Sequence, residues 1–339
     1  MDFPLTKKLF ERGADFLGVD VPIMAGAMTW VSDPQLVAAV SNAGGFGALA
    51  GGNTPIDILT QQVAETRRLT SRPFGVNLIT IAPMYQEHLA LMEAVKPEFV
   101  IFAGSFPKEK EVRRMKAIGA KVLCFASTRS IAERMLRYGA DAIILEGMEA
   151  GGHVGHVTLT ILLQQVLFEV GQEVPVFVAG GIATGAMCAH LLLMGAAGIQ
   201  LGTRFAVAKE SNAHPNFKKK FFQAHARNAV STPQFDSRLP VVAVRALKNK
   251  GHDAFSKLQF DLLGKLDRNE ISRTEAQFEV EHYWAGALRR AVVDGDVDSG
   301  SLMAGQSVGL VESEMSIREI LDEIVADAET TLNRVKGLF

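Results

Sequence analysis

Between about residues 20 and 208, short apolar runs alternate with longer amphipathic stretches, the pattern of βα units repeated around a parallel sheet. Pro22-Ile23-Met24-Ala25 is the first strand, and Asp33 then caps a helix through Val40 that Gly44-Gly45 closes. Residues 46–50 form the second strand. Thr54-Pro55 opens a helix toward Leu69, with proline suited to its first turn, and residues 74–78 are the third strand. A helix around Glu87 to Ala94 leads to the fourth strand at residues 99–103, and a helix over 108–118, ended by Gly119, leads to the fifth at 121–125. Residues 142–145, 175–179 and 198–201 are the last three, each preceded by a helical segment, with Gly139 and Gly171 ending two of those helices. Eight strands in strict alternation predict a (β/α)8 barrel, with an open doubly wound sheet as the alternative.

After Arg204 the alternation breaks. Residues 209–290 are richer in charge, carry helical spacings and contain loop clusters such as Ser231-Thr232-Pro233. They predict a smaller, mainly helical domain inserted into a barrel made of residues 1–208 and 291–339. The segment 316–336 places Ile317, Ile320, Leu321, Ile324 and Val325 on one helical face, which should pack back onto the barrel.

Composition narrows the function classes. With 48% hydrophobic and 21% charged residues and a net charge of -2, neither disorder nor nucleic-acid binding is favoured. Cys124 and Cys188 are the only cysteines and lie in apolar runs, too few for a zinc knuckle or a four-cysteine iron-sulfur site. The first residues lack an apolar signal core, and no stretch is long and apolar enough to span a bilayer. A cytoplasmic protein without membrane association is expected.

In a barrel, the residues that end each strand gather on one face. Here they are Gly26-Ala27-Met28, Asn77, Glu146 with the loop to His153, Gly180-Gly181 and Gly202-Thr203. Loops after the seventh and eighth strands commonly offer backbone N–H groups to a phosphate. Gly180-Gly181 alone would fit a tight turn equally well, and its coincidence with Gly202-Thr203 favours a phosphate-bearing cofactor. The glycines at 45 and 47 lie between a helix and a strand, the reverse of a dinucleotide fingerprint. Asn77 either satisfies a neighbouring strand end or presents a donor and an acceptor to a ligand. The acids Glu146 and Glu149 read as an ordinary loop pair, and His153 as a proton-handling group, since histidine titrates near neutrality. His156 lies three residues further on, and no further ligand spacing supports a metal site.

Ala43-Gly44-Gly45-Phe46-Gly47, Pro73-Phe74-Gly75-Val76-Asn77, the run from Glu146 to His153 and Ala179-Gly180-Gly181-Ile182-Ala183 resemble the nitronate monooxygenase (2-nitropropane dioxygenase) superfamily of FMN-dependent TIM barrels. Within it, Gly202-Thr203-Arg204-Phe205 and residues 209–216, 245–249 and 295–306 look more like the flavin-dependent enoyl-acyl-carrier-protein reductases. The resemblance implies an FMN barrel whose smaller domain covers the flavin. By position, Ala25, Gly26, Met28, Asn77, Gly180, Gly181, Gly202 and Thr203 match its flavin-contacting segments, with Glu146, Gly151, Gly152 and Ala179 beside them. Met303, Gly305 and Gln306 would add contacts from a late loop, and His153 matches the histidine set near the flavin.

The implied activity is reduction of trans-2-enoyl thioesters by NADH or NADPH in fatty-acid synthesis, on coenzyme A or acyl carrier protein, by a homodimer. The alternative is oxidation of alkyl nitronates with oxygen. A flavin-binding protein without turnover is a third class, disfavoured by the intact loop at His153. The lysines at 218–220 either attract an acidic carrier or form a solvated helix face, and His214-Pro215 either helps close the site or simply starts a helix.

Overall fold

The computed structural model describes residues 3–52, 54–239 and 241–338. Its strands are β1 (Ile23–Ala25), β2 (Gly47–Ala50), β3 (Phe74–Ile79), β4 (Phe99–Ala103), β5 (Lys121–Ala126), β6 (Ala142–Glu146), β7 (Gly152–His153), β8 (Val176–Ala179), β9 (Gly198–Leu201), β10 (Ala229–Ser231) and β11 (Val244–Leu247). Eight of them run parallel in the order β1-β9-β8-β6-β5-β4-β3-β2. The ring closes at a single bridge between Met24 and Phe46, where the Ala25 N–H donates to Phe46 O at 2.8 Å and the Phe46 N–H to Ile23 O at 3.0 Å. The protein is therefore a (β/α)8 TIM barrel.

Strand side chains alternate with period two, and here that separates two apolar populations. Met24, Phe46, Ala48, Phe99, Ile101, Leu123, Ala142, Ile144 and Phe177 fill the barrel, whereas Ile23, Leu49, Val76, Val100, Val122, Ile143, Val176 and Ile199 pack outward on the helices. The helix Pro4–Leu17, which the hydrophobic pattern did not announce, closes the N-terminal mouth. Leu17 joins the interior cluster, and the Phe16 ring stands 6.1 Å from those of both Phe99 and Phe177. The floor of the barrel is thus apolar and aromatic.

The helix Ile317–Lys336 buries the five apolar residues expected of it and lies along the helix Gly185–Leu193. Their approach is so close that a Cβ on Gly185 would stand 2.2 Å from Ile324 O. One expected helix end is corrected: Gly171 lies inside the helix Phe168–Glu173, which follows a π-helical turn at Leu163–Leu167. Packing of Val166, Leu167 and Val170 carries the helix past the glycine, whose cost in a helix is only about 1 kcal/mol. Gly139 does end its helix, in the left-handed conformation.

Cys124 and Cys188 are buried free thiols, and burial pushes both upward from the usual thiol range. Among the described residues no helix is long and apolar enough to cross a membrane.

Within residues 209–290, Leu239, Val241, Val244, Phe255, Leu262, Ala276, Val280 and Trp284 form a separate apolar cluster between the helices Lys250–Asp267 and Arg273–Val292. Phe217, Phe221 and Ala229 belong instead to the outer core of the barrel. A three-stranded sheet, β10-β11-β7, joins the insert to the barrel loop that follows β6.

Candidate active site

The period-two alternation that fills the barrel also builds its upper surface. Asn77 lies two residues after inward Gly75 on β3, Glu146 two after Ile144 on β6, and Gln200 two after Gly198 on β9. All three line a cavity of about 460 Å³ at the C-terminal ends of the strands. The Asn77 side chain donates to Ile101 O at 3.3 Å, and Gln200 Nε2 would stand 3.2 Å from a Cβ on Gly26, so the first strand's loop passes directly over that amide.

The glycine loops after β8 and β9 form one wall. Gly180 has φ +97°, and a Cβ there would meet Gly147 O at 2.8 Å, so both conformation and space require glycine. Among the described residues, the backbone N–H groups of Gly181 and Gly202 donate to no protein acceptor, leaving donors for an anionic oxygen beside the cavity. Across the barrel, beyond the ends of β3 to β5, Ile79, Phe106, Phe125 and Ile131 supply an apolar side to the cavity, with Ser105 and Ser127 among them.

His153 sits on β7, which pairs antiparallel with β11 in the register Val244 to His153 and Arg245 to Gly152. The loop beneath it is tied down at several points. Glu149 accepts from the Leu159 N–H through both carboxylate oxygens, at 3.2 and 3.0 Å, while its carbonyl accepts from the Gln306 N–H at 2.9 Å. The buried Arg245 guanidinium donates to Met148 O at 3.0 Å and Ala229 O at 2.7 Å, and burial lowers its pKa. A Cβ on Gly151 would fall 2.6 Å from Gly305 N, so the late loop is seated against this one.

The roof is the helix Arg273–Val292, which contributes Glu281, Trp284 and Leu288. His153 Nε2 lies 3.2 Å from Glu281 Oε1, and that carboxylate is only 2% exposed. Burial by itself would favour neutral imidazole, but the charge and hydrogen bond of Glu281, with Glu146 behind them, outweigh it and raise the histidine above its ordinary range. Burial drives the Glu146 carboxyl up to about 8, partly opposed by His153. Near neutral pH the site therefore holds a protonated carboxylic acid at Glu146, and beside it a histidine that keeps its proton to higher pH than a free imidazole, two groups able to give up a proton.

Gly26, Met28, Asn77, Glu146, Gly151, Gly152, His153, Ala179, Gly180, Gly181, Gly202, Thr203, Met303 and Gly305 all line the cavity. Ala25 and Gln306 do not. Alternation turns Ala25 outward into the helix layer, and Gln306 begins the turn Gln306–Leu310 with its N–H committed to Glu149. His214 caps the helix Pro215–Phe222 through Nδ1, away from the cavity, and Lys218 pairs with Glu314 at 2.7 Å as a structural contact. Lys219 and Lys220 are exposed. Among the described residues no group of three His, Cys, Asp or Glu side chains could hold a metal ion.

Sequence reasoning did not single out Gln200, Glu281 or Trp284. A polar residue at an inward place in the otherwise apolar run 198–201 was a usable signal for Gln200. Glu281 carried none, because 128 positions separate it from His153.

The family model described as nitronate monooxygenase matches residues 11–88 and 79–327. A Mycobacterium tuberculosis protein named (3aS,4S,5R,7aS)-5-hydroxy-7a-methyl-1-oxo-octahydro-1H-indene-4-carboxyl-CoA dehydrogenase is 31% identical over 347 residues, covering 96% of this chain and 97% of its own. A probable nitronate monooxygenase of Bacillus subtilis is 28% identical, over 89% of this chain and 93% of its own. The solved structure of FabK from Thermotoga maritima superimposes with a TM-score of 0.84 at 34% identity, over 97% of this chain and 99% of that one.

Proposed function

The chain belongs to the nitronate monooxygenase family of oxidoreductases, and on that premise we propose that it binds FMN at the top of the barrel and reduces the double bond of trans-2-enoyl thioesters, with NADH or NADPH as electron source. The residues present fit the cofactor. Gly180, Gly181, Gly202 and Thr203 would receive its phosphate, with the free N–H groups of Gly181 and Gly202 as donors. Asn77 and Gln200 line the cavity with side-chain amides, each both donor and acceptor, that would hydrogen-bond the cofactor's polar groups. When bound, FMN supplies the hydride chemistry. Gly151 and Gly305 let the two loops at the cavity edge press together, since a Cβ on either would meet backbone of the other loop.

One observation carries the choice of substrate: the side chains of Ile79, Phe106, Phe125 and Ile131, with only Ser105 and Ser127 as hydroxyls among them, line the cavity across the barrel from the glycine loops. An acyl chain would bury its methylenes there, each worth about 0.8 kcal/mol. His153, held by Glu281, would donate to the thioester oxygen or to the α-carbon. The likeness to FabK and to a CoA-thioester dehydrogenase supports this reading. Residues 1–208 and 291–339 then act as the FMN barrel, with residues 209–290 as its cover.

The second reading, oxygen-dependent nitronate oxidation, draws on the raised pKa of His153, since an imidazolium suits an anionic substrate. Flavin-loaded protein is assayed anaerobically with NADH or NADPH and crotonyl or longer enoyl thioesters, and separately with an alkyl nitronate in air. Consumption of reduced nicotinamide that depends on the enoyl thioester is expected. Turnover confined to the nitronate and oxygen would sink the reductase reading.

A further inference from the structure

The proposed reaction assigns a task to His153, which the barrel supplies, and none to the buried carboxylate that the insert brings against it. Glu281 Oε1 faces His153 Nε2 at 3.2 Å, while Oε2 is buried with no protein donor among the described residues. A buried carboxylate with half its hydrogen-bonding capacity unmet needs a compensating charge close by, and an imidazolium is within reach. We propose that Glu281 is the positioning residue of His153: it fixes the ring's orientation and holds its imidazolium form, so the proton donor is complete only when the insert is seated on the barrel. This rests on His153 as the proton donor of the site.

Two contacts seat the helix that carries Glu281, and a strand pairing ties His153 to the same unit. Its Trp284 ring packs 4.3 Å from Phe255, centroid to centroid, in the core of the insert. The register of β7 against β11 fixes the backbone of His153 to the same unit. On the barrel side, Trp30 Nε1 donates to Ala285 O at 2.9 Å from a left-handed backbone conformation, φ 69°, that a bulky residue adopts only when its surroundings demand it. The charged and titratable groups around His153 are few. Glu146 approaches from β6 and Glu281 from the roof helix, while Arg245 on β11 is committed to Met148 O and Ala229 O. Loss of Glu281 therefore leaves burial, which favours neutral imidazole, opposed by Glu146 only where that carboxyl is ionised.

The substitution E281Q keeps the shape and removes the charge. In flavin-loaded protein without substrate, the ring nitrogens of His153 are titrated by nuclear magnetic resonance, beside kcat and KM as functions of pH. The variant is expected to lose its imidazolium proton at lower pH than the parent. Its kcat should fall about tenfold or more on the alkaline side of the parent's midpoint, with little loss at mildly acid pH and KM nearly unchanged. E281D keeps the charge but draws it back by one methylene, and should fall between the two. An unmoved histidine titration, or a loss of kcat uniform across pH, overturns the proposal. The same criterion applied to E281D decides the matter if E281Q does not fold. Because the titration needs no turnover, failure of the enoyl-thioester assay is distinguishable from failure of this proposal.

Discussion

Glu146 occupies the last inward place of β6, and replacing it with glutamine converts its burial into a measurable dependence of stability on pH. Its carboxyl ionises near 4.5 when exposed and at about 8 in the folded protein, chiefly because burial disfavours the charged form. Between those values the folded protein keeps a proton that the unfolded chain has released. The contribution to stability is therefore intact below pH 4.5, falls as pH rises through the window, and levels off above about 8. At about 1.4 kcal/mol for each tenfold change in ionisation constant, a rise from near 4.5 to about 8 amounts to roughly 5 kcal/mol. That is an upper figure, because an ionised carboxylate at the cavity edge recruits water. Glutamine fills the same space and does not ionise. Denaturant unfolding of both proteins across this range should show E146Q gaining on the parent by a few kcal/mol toward alkaline pH. Parallel stability curves would refute the argument.

Three further outcomes follow from the geometry. H153Q should lower kcat by about 10²–10⁴-fold while leaving the flavin content unchanged, as read from steady-state rates and the visible spectrum; a smaller effect removes the histidine from proton transfer. G180A forces a Cβ to within 2.8 Å of Gly147 O at φ +97°, and should weaken flavin retention on dilution about tenfold or more, whereas unchanged retention means that this loop does not cradle the phosphate. L17A deletes a fully buried side chain at the mouth of the barrel and should cost about 2–5 kcal/mol in chemical unfolding with kcat preserved; an unmoved midpoint would show that the first helix does not close the barrel.

The barrel was legible because each strand is a short apolar run bounded by a capping residue or glycine, as at Asp33, Gly119 and Gly139. Local signals of that kind survive folding unchanged. Most of the residues assigned to the site do line the cavity, since a residue's place at the end of a strand fixes the face it serves, but the larger part of the lining, including Ile79, Phe106, Phe125 and Trp284, was not read from the sequence. What escaped depends on tertiary partners. Gly152–His153 is too short to show a period, and it is a strand only because β11 pairs with it. Gly171 looked like a helix stop because propensity ignores the packing that carries the helix through. The helix Pro4–Leu17 is amphipathic, but its first turns bring polar contacts to Glu329 rather than a continuous apolar stripe: the Thr6 N–H and hydroxyl donate to that carboxylate at 2.7 and 2.8 Å.

The small sheet β10-β11-β7 gives the fold a property that a list of domains would hide. Its middle strand comes from the insert and one of its edge strands is the barrel loop that carries His153. A graft of residues 209–290 from one family member onto the barrel of another would thus exchange the strand that holds the histidine along with the cover. Recombination at the apparent domain boundaries should give folded chimeras with misaligned chemistry unless residues 146–154 travel with the insert. The unit that positions His153 is thus discontinuous in sequence, and transplanting it intact means moving its two pieces together.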